Sequence, residues 1–156
     1  EPKLGKDPDW TAGVLLGLSI QNIWYILDVR RLRGNPGQVD ALIRQTAEVD
    51  GKNIPIWLEQ EPGASGVNSI DHYVRRVLPG WAVRGDRHTG SKEERANPVS
   101  SQASAGNIKL IQAPWIGLFL DEIETFPQGS HDDQVDSLSG AFSHLVERAG
   151  RIGLFT

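Results

Sequence analysis

Residues 11–29 read TAGVLLGLSIQNIWYILDV, and this stretch decides the class of fold. Two apolar runs, Thr11–Ile20 and Ile23–Val29, flank the polar pair Gln21-Asn22, a pattern that predicts an antiparallel hairpin. Downstream, Gly34-Asn35-Pro36-Gly37 stops the sheet and opens a helix on which Val39, Leu42, Ile43 and Ala47 share one face, ending near Asp50-Gly51. Ile54–Glu59 is too short for a helix and right for a buried strand. A helix is predicted over Ile70–Leu78, a strand over Trp81–Arg84, and a weaker helix within Ser91–Ala105 that opens near Pro98. Ile108–Ile111 reads as a short strand. Ile116–Phe126 reads as a helix with Leu118, Phe119 and Ile123 as its apolar side. The last helix, about His131 to Arg148, should bury Val135, Leu138, Phe142, Leu145 and Val146. Residues 1–10, broken by Pro2, Gly5 and Pro8, read as an irregular arm. A hairpin followed by alternating helices and strands implies an α/β fold, a mixed sheet flanked by helices. Several folds satisfy that order.

The whole chain, residues 1–156, has the size and balance of one globular domain, with 38% hydrophobic and 23% charged residues. No apolar run reaches the roughly 18–20 residues that span a bilayer, and the charged start is unlike a signal peptide. A soluble, intracellular protein without a membrane partner is expected. The absence of cysteine excludes disulfides, thiolate metal sites and a cysteine nucleophile. Any metal must then be held by carboxylate, imidazole or backbone oxygen, which favours hard cations.

The formal charge of −4 is unevenly spread. Arg75, Arg76, Arg84, Arg87, Lys92 and Arg95 form a basic stretch. From Asp121 to Asp136 there are six acids and no Lys or Arg. Carboxylates to hold cations beside cations to hold a phosphate backbone suit a metal-dependent phosphodiester enzyme, and equally describe two solvated faces. Glu59 ends its strand ahead of Gln60-Glu61-Pro62-Gly63, at the edge where open α/β sheets bind ligands. Ile54, Ile56 and Leu58 should take one face of that strand, Trp57 and Glu59 the other. In Ser130-His131-Asp132-Asp133-Gln134-Val135-Asp136, three carboxylates occupy the first turns of a helix. One acid would serve as a cap; three repel one another unless water or a cation intervenes. Asp132 and Asp136 share a flank, and Asp133 is adjacent, so the spacing permits shared metal coordination. His131 lies beside these acids, while His72, His88 and His144 read as surface or packing residues. A phosphate-binding loop and a His-Glu-x-x-His motif are both absent, excluding P-loop and zincin chemistry.

Together, Asp9-Trp10-Thr11-Ala12-Gly13-Val14, the Glu59-Gln60-Glu61-Pro62-Gly63 turn, Thr89–Ala96, Gln102–Asn107 and His131-Asp132-Asp133-Gln134-Val135-Asp136 resemble, in that order, the C-terminal nuclease domain of phage terminase large subunits. The resemblance implies a ribonuclease H-like fold and two-metal (Mg²⁺ or Mn²⁺) cleavage of double-stranded viral concatemers. Glu59, Asp132 and Asp133 would be the catalytic metal ligands, with Asp136 a fourth candidate. Lys92 and Arg95 match basic positions near the family's DNA path, and Arg87 of the same basic stretch joins them as a candidate DNA contact. Implied partners are double-stranded DNA, a terminase ATPase domain in the same native chain, the portal and the small terminase subunit, in the cytoplasm of a bacterial host. The family carries a further Asp on a first, central strand; that strand and its Asp are expected upstream of Glu1. Two alternatives are a terminase piece that binds DNA or the portal without chemistry, and a junction resolvase of the same fold.

Overall fold

The computed structural model describes residues 9–153, with side chains through Arg148. The arm expected over residues 1–10 therefore lies outside the described residues apart from Asp9 and Trp10. The chain divides into two compact units, residues 1–11 with 32–88 and residues 12–31 with 89–156.

The second unit carries the larger core. Strands β1 (Thr11–Leu18) and β2 (Trp24–Leu32) form the hairpin that the alternating apolar runs predict, and β5 (Ile108–Leu110) completes the sheet in the order β1-β2-β5. Their turn closes with the Asn22 amide donating to the Ser19 carbonyl at 2.9 Å, and Asn22 takes the left-handed conformation (φ 61°) that Asn tolerates better than most residues. The connection is far too short for a parallel crossover, so the pair is antiparallel. β2 and β5 run parallel, with Trp24 opposite Ile108 and Ile26 opposite Leu110. The sheet is mixed, as the element order implies.

Against this sheet pack α3 (Lys92–Ser104), α4 (Ile116–Thr125) and α5 (Asp133–Gly153). Trp24, Ile26, Val29, Val99, Phe119, Leu138 and Phe142 form one buried cluster, in which the Trp24 and Phe142 rings lie 4.2 Å apart between centroids. Three expectations change here. Helix α3 does not open near Pro98 but contains it. Its start is fixed by a reciprocal cap, Ser91 Oγ accepting from the Glu94 amide and the Glu94 carboxylate accepting from the Ser91 amide. Burial of Val99 adds a second anchor beyond the hydrogen bond that proline forfeits. On α4 the buried residues are Phe119 and Glu122, whereas Leu118 and Ile123 are exposed. Val146 of α5 is exposed too, leaving Val135, Leu138 and Phe142 as that helix's fully buried stripe.

The other unit is built on α1 (Pro36–Asp50), β3 (Ile56–Glu59), α2 (Ala64–His72) and β4 (Val83–Asp86). Asn35 and Gln38 cap α1 reciprocally, with Pro36 at its first position. Helix α2 starts six residues earlier than the sequence pattern suggests and passes into a π-helical turn over Tyr73–Val77, closed by the Leu78 amide on the Tyr73 carbonyl. Gly66 explains how that start is accommodated. A Cβ there would collide with the backbone of Glu61, so glycine lets the helix nest against the Glu61-Pro62-Gly63 turn. Asp40 ties α1 to the end of α2 by accepting from the Tyr73 hydroxyl at 2.7 Å and pairing with His72 at 2.9 Å. Trp81 donates to the Ala47 carbonyl, and the charged heads of Arg44 and Lys52 lie over its ring. β3 and β4 are parallel, Ile56 opposite Val83 and Glu59 opposite Asp86. Among the described residues no helix is long and apolar enough to cross a membrane.

Candidate functional site

Glu59 stands at the carboxyl end of β3, where strand alternation turns it, like Trp57, to the exposed face while Ile56 and Leu58 are partly covered. Its side chain is 70% exposed. The strand register brings in Asp86, which the sequence reading passed over, and His88, which it assigned to surface or packing. Asp86 lies opposite Glu59 on β4, and the His88 ring sits between the two, Nδ1 3.7 Å from Glu59 Oε1 and Nε2 3.5 Å from Asp86 Oδ2. The signal was the length of β4. A strand ending at Arg84 leaves Asp86 in a loop, whereas a strand reaching Asp86 pairs it with Glu59. Arg87 follows directly and is exposed.

The second acidic group belongs to the other unit. Asp132 caps α5, its carbonyl accepting from the Asp136 amide at 2.9 Å. Asp132 and Asp136 lie on the flank that helical spacing assigns them, and there they meet two cations from α3. Lys92 Nζ is 2.6 Å from Asp132 Oδ2 and 3.3 Å from Asp136 Oδ2, while Arg95 Nη2 is 3.5 Å from Asp136 Oδ1. Its hydrogen bond to Asp132, helped by the charge of Asp136, raises the Lys92 pKa and keeps the ammonium protonated. Asp133 is different. Burial, followed by the negative charges of Asp132, Glu122 and Asp136, raises its pKa above the ordinary carboxylate value.

Glu122 is the other residue missed from sequence. It is buried on α4 and its carboxylate accepts from the Val135 amide at 2.8 Å and from the Gln134 side chain at 3.1 Å. It thus satisfies one of the amides that a helix start leaves without an intrahelical partner. Its spacing of three from Phe119 was the available clue. Four carboxylates, Asp132, Asp133, Asp136 and Glu122, are gathered here with two cations, Lys92 and Arg95. Counted as fully ionised among the described residues, the group retains two negative charges, an environment that favours a further cation. Hard oxygen donors suit Mg²⁺ or Mn²⁺. Among the described residues no three His, Asp or Glu side chains close into a metal cage. A cation of the magnesium type commonly takes one or two carboxylates and completes its shell with water and substrate phosphate, and the two carboxylate oxygens that share a positive charge here are Asp132 Oδ2 and Asp136 Oδ2, both on the Lys92 ammonium.

A family model described as Terminase RNaseH-like domain matches residues 2–145. The chain belongs to this family. Its mixed α/β architecture is that of a ribonuclease H-like domain, and the terminase assignment carries a nuclease-type role. No curated protein matches the chain. Within this terminase RNaseH-like domain the two acidic groups are the Glu59 corner and the start of α5, one in each unit.

Proposed function

We propose that residues 1–156 belong to the DNA-cutting domain of a viral packaging motor, a metal-dependent endonuclease acting on double-stranded concatemers in the bacterial host cytoplasm. The observation that carries this reading is the crowding of Asp132, Asp133 and Asp136 at the start of α5, where burial first and then the neighbouring carboxylates oppose the Asp133 charge, which a cation would relieve. Glu59, Asp132 and Asp133 would hold two Mg²⁺ or Mn²⁺ ions, with Asp136 supporting them. When bound, such ions supply Lewis-acid activation and charge neutralisation at a phosphodiester. The chain's own residues orient and balance charge. Arg95 steadies Asp136, Glu122 fixes the first turn of α5, and Arg87 and Lys92 supply positive charge for the DNA backbone. The ATPase domain, portal and small subunit are the proposed partners.

The test is cleavage of supercoiled plasmid by the native protein in Mn²⁺. Asp133→Asn and Glu59→Gln should each lower the rate by about 100-fold or more, the scale of losing a charge-stabilising group. Unchanged cleavage in both variants would overturn the assignment. The pairing of Asp132 and Asp136 with Lys92 also favours a second reading, a module that binds DNA without cutting it, for which the same assay would show retention of plasmid and no nicking.

A further inference from the structure

The two cations on Asp132 and Asp136 are not equivalent. Arg95 is the more enclosed, with a side chain 21% exposed, and pairs with the Oδ1 atom of Asp136. Lys92 is 49% exposed, sits on a flexible four-carbon stem at the first position of α3, and places its ammonium against one oxygen of each carboxylate. A helix start offers that side chain open solvent, so leaving costs little packing, whereas Arg95 would have to abandon an enclosed position one turn further in. The oxygens that Lys92 occupies, Asp132 Oδ2 and Asp136 Oδ2, are those that converge on one point.

We propose that Lys92 is an exchangeable counter-ion: a divalent cation entering between Asp132 and Asp136 displaces its ammonium, and the released ammonium then binds a DNA phosphate. This rests on the nuclease reading and adds to it a coupling between metal and DNA. With the ammonium in place, the carboxylates are available to metal only in the fraction of molecules from which Lys92 has departed, which weakens apparent metal affinity by that fraction. Conversely, a polyanion that draws Lys92 away must strengthen metal binding, because such coupling is reciprocal. Arg95 remains on Asp136 throughout and keeps it aimed. The domain would thereby hold metal poorly until DNA arrives.

The coupling is tested by Mn²⁺ titration followed by electron paramagnetic resonance, and by DNA binding in Ca²⁺. Lys92→Met should bind Mn²⁺ at least about threefold more tightly than the unaltered protein. Arg95→Met removes equal charge nearby without freeing the converging oxygens and should show no such gain. The unaltered protein should make about one more phosphate contact, seen as a steeper salt dependence of DNA binding, when Ca²⁺ is present. Lys92→Met should show the same salt dependence with and without Ca²⁺. Lys92→Gln, which keeps a polar side chain, repeats the measurement should the methionine variant fold poorly. If the unaltered protein binds Mn²⁺ and neither Lys92 variant binds it more tightly, or Arg95→Met gains equally, Lys92 is a fixed brace and the exchange is wrong while the nuclease reading stands. If none of the proteins binds Mn²⁺, metal-dependent cleavage and the exchange fall together.

Discussion

Glu59 ends a strand and leaves most of its side chain in water, whereas Asp132, Asp133 and Asp136 open a helix and are partly covered, with Asp132 and Asp136 leaning on cations from another helix. The two groups accommodate carboxylate charge by different means. At Glu59 the solvent does it, and the scaffold beneath is backbone against backbone: β3 on β4, and the Glu61 turn on Gly66. At α5 the protein does it: Lys92 and Arg95 offset the charge of Asp132 and Asp136, and the buried Glu122 fixes the first turn through the Val135 amide. The difference teaches where each group is vulnerable. In stability, as distinct from cleavage, the Glu59 corner should be sensitive to changes in its backbone support and insensitive to loss of the acid, while the α5 corner should respond to each charge.

The largest effect should come from Gly66→Ala, which forces a methyl group into the Glu61 backbone. A loss of about 3 kcal/mol, the upper end of the range for overpacking, should appear as a lower denaturant midpoint. Glu122→Leu strips the acceptor from the Val135 amide and the Gln134 side chain, and about 2 kcal/mol should be lost in the same assay. Ser91→Ala removes the cap that starts α3 and presents Lys92; about 1 kcal/mol is expected, with reduced helicity by circular dichroism.

Asp133→Asn should act in the opposite direction. Because the pKa of Asp133 is raised in the fold, the folded state binds its proton more tightly than the unfolded chain, and stability falls as pH rises from the ordinary value of 3.8 through the folded pKa. The variant should therefore melt at a slightly higher temperature at neutral pH, and that advantage should vanish on acidification below 3.8. Half exposure and solvent screening keep the gain small. An equal advantage at both pH values would place its cause in packing rather than charge. Glu59→Gln should be smallest of all, within about 0.5 kcal/mol of the unaltered protein as for other exposed positions. A larger loss would mean that His88 and Glu59 form a stabilising pair and would erase the contrast between the two corners.

Much of the fold was legible because its signals are local. The apolar runs on either side of Gln21-Asn22 give the hairpin, and the spacing of Val39, Leu42, Ile43 and Ala47 gives α1. Helix α2 was only half visible, since Ala64-Ser65-Gly66 follows Pro62-Gly63 and looks like a continued loop until the close approach of Glu61 is known. Pro98 misled for a related reason, an interior proline being tolerated when a cap and a buried valine hold both sides of it. At the candidate site, the acids of α5 could be read from their spacing. Their partners could not. Lys92 meets Asp132 across 40 residues of sequence, Glu122 reaches Val135 from another helix, and Asp86 meets Glu59 through a strand register. Such pairings depend on packing between elements, which periodicity within one element does not encode.

The tryptophans give this division an optical consequence. Trp24 is enclosed against Phe142 in the core of one unit, and Trp81 lies beneath the cationic heads of Arg44 and Lys52 in the other. Unfolding moves both rings into water, but from dissimilar surroundings, so a chain in which Trp24 or Trp81 is the one tryptophan kept of the five reports fluorescence from a single unit. Two emission-monitored melting curves, one from each such chain, would then time the loss of the apolar core separately from the loss of the Glu59 scaffold.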